Sequence, residues 1–113
     1  MEVAEGFMFG DDVVLLSLDR GGVSEFGEAL RRAVQHGSWL LEHSGFRHEF
    51  LISAGRSAVE LDGCGAVWRF DQAMVCELVD ALNALGEKDG PGHLYVDISE
   101  PADTLVVSRD EYV

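Results

Sequence analysis

The sequence predicts an α+β domain, with a mostly antiparallel sheet of about six strands and two amphipathic helices. Three observations lead there. Short runs rich in valine, leucine and aromatic residues are separated by glycine-containing links, the pattern of paired strands. Two longer stretches repeat their apolar residues with a helical period. The chain has 113 residues, of which 47% are hydrophobic. That is the size of one domain, about 100–150 residues, and enough apolar surface for a core without disulfides or a structural metal. No low-complexity segment or linker interrupts it, so residues 1–113 read as a single unit.

The first strand is expected over Val13–Asp19 (VVLLSLD), and Arg20-Gly21-Gly22 breaks it. Val23, Phe26, Ala29, Leu30, Ala33 and Val34 then fall on one stripe of a helix. Ser24 is its expected cap, and His36-Gly37 its stop, because glycine supplies the left-handed residue that ends many helices. Residues 39–43 (WLLEH) fit either an extension of this helix or the first arm of a hairpin turning at Ser44-Gly45. Phe46–Ser53, Ser57–Asp62 and Ala66–Phe70 read as an antiparallel meander, given the short links between them. Asp71 is placed to cap a second helix, with Met74, Val75, Leu78, Ala81, Leu82 and Leu85 as its apolar stripe. After Gly86 and Gly90-Pro91-Gly92, His93–Ser99 and Thr104–Asp110 form a closing strand pair.

Shifting the chain by 52 residues lays the first strand–helix unit over the second: Asp19 meets Asp71, Val23 meets Val75, Glu25 meets Glu77, Ala29 meets Ala81 and Leu30 meets Leu82. This fits a duplicated β-α-β-β unit with two-fold pseudo-symmetry. Any two amphipathic helices capped after a strand would share part of the same period, so the match alone does not decide between the two.

Charge narrows function more than motif does. The chain carries 21 Asp and Glu against 8 Lys and Arg, a net charge of -13. Such a balance argues against nucleic acid, whose phosphates are held by Lys and Arg, and against anionic membrane surfaces. Residues 20–56 are nearly neutral, with five Arg against four Glu. Residues 71–89 hold five acids against Lys88, and residues 97–113 hold five against Arg109. An acidic face of this kind either keeps a small protein soluble or captures a basic partner.

The N-terminus, MEVAEGFMFGDD, lacks the basic start of a secretory signal. Cys64 and Cys76 are therefore expected as reduced thiols in the cytoplasm, with Cys76 filling a small apolar site on the second helix. Gly6–Gly10 and Gly63-Cys64-Gly65 lack the spacing of a phosphate loop and read as turns. His36, His43, His48 and His93 lack metal-ligand spacing. His43 and His48 flank a hairpin turn, where imidazoles ordinarily make surface hydrogen bonds. No serine lies in a nucleophile elbow, and Cys64 lacks an activating environment, so neither an enzyme nor a cofactor or metal is expected. The aromatic residues, Tyr95 among them, are expected mostly in the core. Trp39, beside Gly37-Ser38, is singled out as an interface anchor if exposed.

The stretch Phe70–Tyr112 combines an acid-capped helix from Asp71 through Leu85, a glycine turn into Gly92-His93, Asp97 and its acidic linker, and a hydrophobic strand over Val106–Glu111 ending in Arg-Asp-Glu. It resembles small acidic immunity proteins of bacterial polymorphic-toxin and contact-dependent inhibition systems. The resemblance implies a cytoplasmic, non-enzymatic antidote that binds a cognate toxin. A basic, nuclease-like toxin would match the charge. The expected contact residues are Glu77, Asp80, Glu87, Asp89, Asp97, Glu100 and Asp103, with Trp39 as an aromatic anchor. The alternatives are a self-associating structural or regulatory domain, monomeric or homodimeric in isolation, and a small ligand-binding domain using Cys64 or the histidines.

Overall fold

Two aspartates begin the two helices, and their geometry is the same. The Asp19 carboxylate accepts the backbone N–H of Gly22 at 2.6 Å, and the Asp71 carboxylate accepts that of Met74 at 2.7 Å. Each satisfies an amide with no partner in the first turn. Asp19, not Ser24, is thus the cap of helix α1 (Arg20–His36), which starts one turn earlier than its apolar stripe suggested. Helix α2 spans Gln72–Glu87. Gly37 stops α1 in a left-handed conformation (φ 84°), its N–H bonded to the Ala33 carbonyl. At the far end of α2, the buried Arg109 guanidinium donates to the Leu85 carbonyl at 3.0 Å, a positive charge where the helix dipole is negative.

The computed structural model describes residues 2–8, 11–43, 45–55, 57–87, 92–98 and 104–109. Among these lie eight strands: β1 (Glu2–Met8), β2 (Asp11–Leu18), β3 (Ser38–His43), β4 (Phe46–Ile52), β5 (Ala58–Leu61), β6 (Gly65–Phe70), β7 (Gly92–Asp97) and β8 (Thr104–Arg109). The class is α+β, but the strands form two four-stranded mixed sheets, β1-β2-β8-β7 and β3-β4-β6-β5, in place of one sheet of six. The outer pairings are antiparallel, while the centre of each sheet is a parallel pair, β2 with β8 and β4 with β6.

Of the two alternatives for residues 39–43, the hairpin arm forms: they are strand, paired with β4 across the turn at Gly45. Two expectations change. The meander over residues 46–70 does not form, because β6 inserts beside β4 and β5 moves to the edge. A period of two records which face a side chain takes but not which strand lies next to it. The segment from Gly6 to Met8, read as part of a turn, belongs to β1.

The registers repeat between the halves. Val13 pairs with Thr104 as Gly65 pairs with Arg47, and Leu18 with Arg109 as Phe70 with Ile52. Applying the 52-residue offset to β2 and β6 carries each sheet onto the other, so the repeated unit is β-β-α-β-β, one strand longer than the sequence indicated. Both helices and the inner sheet faces share one core, with Phe26, Phe50, Trp68, Leu16, Leu78 and Leu105 fully buried.

Gly65 marks the tightest approach in the fold. A Cβ there would lie 2.5 Å from the Arg47 carbonyl oxygen, which is backbone and cannot swing aside. Gly65→Ala is expected to force β4 and β6 apart and to cost about 1–3 kcal/mol, read as a lowered urea midpoint with an unchanged slope.

Candidate functional site

The acids named from sequence divide into three groups. Asp89, Glu100 and Asp103 lie outside the described residues. Glu87 is exposed on the opposite side of α2 from β7, along a groove where α2 meets Arg20, Glu28 and Arg31 of α1. Glu77 and Asp97 both line an open groove of about 270 Å³ between α2 and β7. Its apolar lining is Met74, Leu78 and Ala81 from the helix, and Leu94 and Val96 from the strand. Tyr95 stands at its mouth and, at 50% exposure, departs from the expected core position. Asp80 follows Glu77 by three residues and is exposed on the same helix.

Strand β7 is the edge of its sheet, with Leu94 and Val96 turned toward α2 and His93, Tyr95 and Asp97 on the opposite face. A groove at this place follows from a helix packed on the inner face of an edge strand whose side chains there are only medium-sized.

The charges segregate. Among the described residues the ion pairs join Glu28 to Arg31 and Arg32, and Glu60 to Arg69, with His43 3.3 Å from Glu25 and paired to it ionically only when protonated, all on α1 or the β3-β4-β6-β5 sheet. Arg31 also reaches across to Asn83 of α2 at 3.1 Å. None of these pairs engages Glu77, Asp80, Glu87 or Asp97. Exposed pairs contribute little stability, but they reduce the local field, and among the described residues the face formed by α2 and β7 carries none.

Trp39 lies on β3 of the other sheet, half-buried, apart from the acidic groove. Its ring stacks on His36 with centroids 5.6 Å apart, and the Arg32 guanidinium covers it at 5.0 Å. Cys64 and Cys76 are both free and exposed, so Cys76 does not fill an apolar site. Among the described residues no cluster of His, Cys, Asp or Glu has the makings of a metal site, and no helix is long and apolar enough to cross a membrane.

His48 departs most from expectation. It is fully buried on the inner face of β4, not hydrogen-bonded at the surface. Its Nδ1 accepts the Trp68 indole N–H at 3.1 Å, which fixes the neutral tautomer with hydrogen on Nε2, and that Nε2 has no hydrogen-bond partner among the described residues. Phe26, Phe46, Phe50 and Trp68 surround the ring. Burial, reinforced by the nearby His43, pushes its pKa down to about 4. The alternation of FRHEF places His48 on the same face as Phe46 and Phe50, and that was the available signal.

No family model and no curated protein matches this chain. Among solved structures the fold is similar to part of Drosophila Suppressor of Fused, with a TM-score of 0.56 at 9% identity. The match covers 100% of this chain but only 27% of that protein. At that identity the likeness is one of fold.

The His48 geometry yields a pH dependence. Unfolded, the imidazole titrates near 6.5, whereas folded it resists protonation down to about 4. Between those values the unfolded chain binds more protons, so stability falls as pH drops through the window and this contribution levels off below it. The loss is on the order of 3 kcal/mol. Urea unfolding at pH 7 and pH 4 is expected to show a larger loss for the native chain than for His48→Leu, which copies Leu105 at the equivalent place in β8.

Proposed function

We propose that this chain is a non-enzymatic protein-binding module of the immunity type, which neutralises a cognate toxin through the acidic face of α2 and β7. The toxin it fits is basic, as nucleases that grip phosphate are, and the setting is the bacterial cytoplasm. The observation that carries this reading is that Glu77, Asp80 and Asp97 lie beside an apolar groove in no ion pair among the described residues, while Arg31, Arg32 and Arg69 face carboxylates of their own. An apolar floor with an acidic rim has the anatomy of an interface: the floor contributes affinity, and the rim contributes approach rate and orientation. Asp89, Glu100 and Asp103 belong to the same reading through their position in the sequence, and Trp39 belongs to it only if a partner wraps onto the second sheet.

A second reading, self-association, has one observation in its favour. Leu40 and Tyr95 are the exposed large hydrophobic residues among those described, and they occupy equivalent places on the edge strands β3 and β7. Two acidic faces would repel on approach, which weighs against pairing through β7.

The test is co-purification of the chain with the product of the neighbouring gene, followed by association kinetics across salt concentrations. The expected on-rate falls at least tenfold between about 50 and 500 mM salt, as the screening length shrinks below about 10 Å. Glu77→Lys with Asp80→Lys should slow it comparably at low salt. An on-rate indifferent to both would remove the electrostatic part of the proposal, and concentration-dependent dimers without a basic partner would favour self-association.

A further inference from the structure

The two halves present the same helix–edge-strand junction with unlike fillings. The registers make Trp39 of β3 equivalent to Leu94 of β7, Leu40 to Tyr95 and Glu42 to Asp97. The helix offset makes Glu25 equivalent to Glu77, Phe26 to Leu78 and Arg32 to Ala84. In the first half the junction is closed. Trp39 occupies it, stacked on His36 with Arg32 over its ring at 5.0 Å, and His43 lies 3.3 Å from the Glu25 carboxylate. The second half has Leu78, Leu94, Ala84 and, in place of His43, Ile98. Accordingly α2 stands off from β7 where α1 lies against β3, and the groove beside Glu77 and Asp97 stays open.

What the second half lacks is an apolar group topped by a cation, the combination that Trp39 and Arg32 supply internally to the first. We infer that the groove between α2 and β7 receives an arginine side chain from a basic protein partner. Its methylenes would lie along Met74, Ala81 and Leu94, with the guanidinium at the rim beside Glu77, where it reaches over the open edge of β7 to Asp97 and the exposed Tyr95 ring. Arginine suits the place better than lysine, because its planar fork pairs with carboxylates and stacks on aromatic faces. The groove's volume, about 270 Å³, falls below the usual range for drug-sized ligands, roughly 300–1,000 Å³, and matches a side chain better than a metabolite. This inference rests on the proposed binding role and deepens it by naming the residue the site reads.

The experiment titrates the full chain with blocked hexa-arginine and hexa-lysine peptides at low salt, followed by calorimetry and amide NMR. The expected result is saturable binding of hexa-arginine, tighter than hexa-lysine, with shifts centred on Ala81, Leu94 and Tyr95. Glu77→Gln with Asp97→Asn should weaken it about tenfold or more, as the loss of charge-assisted hydrogen bonds does. Leu94→Trp, which copies the closed half, should abolish it while the fold is retained by circular dichroism. Glu28→Gln, on the neutralised face, should leave it unchanged. Equal affinity for the two peptides, or binding untouched by Glu77→Gln/Asp97→Asn and by Leu94→Trp, would overturn the inference. The binding role fails separately: a native partner still captured by Leu94→Trp keeps that role and removes the arginine site, whereas peptide binding without any basic partner does the reverse.

Discussion

Parallel strands cannot be joined by a tight turn, and the pairing of β2 with β8 and of β4 with β6 makes the two halves of this chain interlock. Each sheet takes two strands from each half, so neither half contains a complete sheet. The β2–β8 pair is buried on both faces along most of its length, which explains why VVLLSL and TLVVSR read as nearly continuous apolar runs. With the centre closed in this way, the helices have one place to lie, packed on each other and on the inner sheet faces. Much of this pairing joins residues far apart in sequence, a topology that folds slowly and cooperatively.

The interlock also generates what is distinctive at the surface. A symmetric scaffold would give two equivalent helix–edge-strand junctions, and the side chains break that equivalence. Trp39 under Arg32, and His43 beside Glu25, close one junction, while Leu78, Leu94 and Ile98 leave the other open with Glu77 in no ion pair among the described residues. The same division separates the neutralised face from the acidic one. Placing like charges on α2 and β7 costs some self-repulsion, so their concentration beside an open apolar groove has an energetic consequence that a binding role would offset.

Much of this was legible in the sequence, and the rest was hidden for identifiable reasons. The helices, the cap at Asp71 and the stop at Gly37 could be read because each is local: a carboxylate near an amide, a glycine at positive φ, a stripe of apolar residues. The repeat was visible in Asp19, Val23 and Glu25 for the same reason. Strand order was not, because glycine links of hairpin length say nothing about a strand inserting between two neighbours, as β6 does between β4 and β5. The acids at 77 and 97 could be listed but not assigned to one groove, since their place there depends on the β7–β8 register and the packing of α2. His48 was misplaced because a histidine between Arg47 and Glu49 looks polar until the alternation with Phe46 and Phe50 outweighs its neighbours.

The central claim is that two equivalent junctions differ in function, one closed for stability and one open for binding. Amide hydrogen exchange on the chain, free and bound to the basic partner proposed for it, compares them within one molecule. Binding at the open junction predicts added protection over Met74–Ala81 and Gly92–Asp97, with Gly22–Ala29 and Ser38–His43 unchanged. Protection confined to β3 and α1, with β7 exchanging as in the free chain, would contradict it.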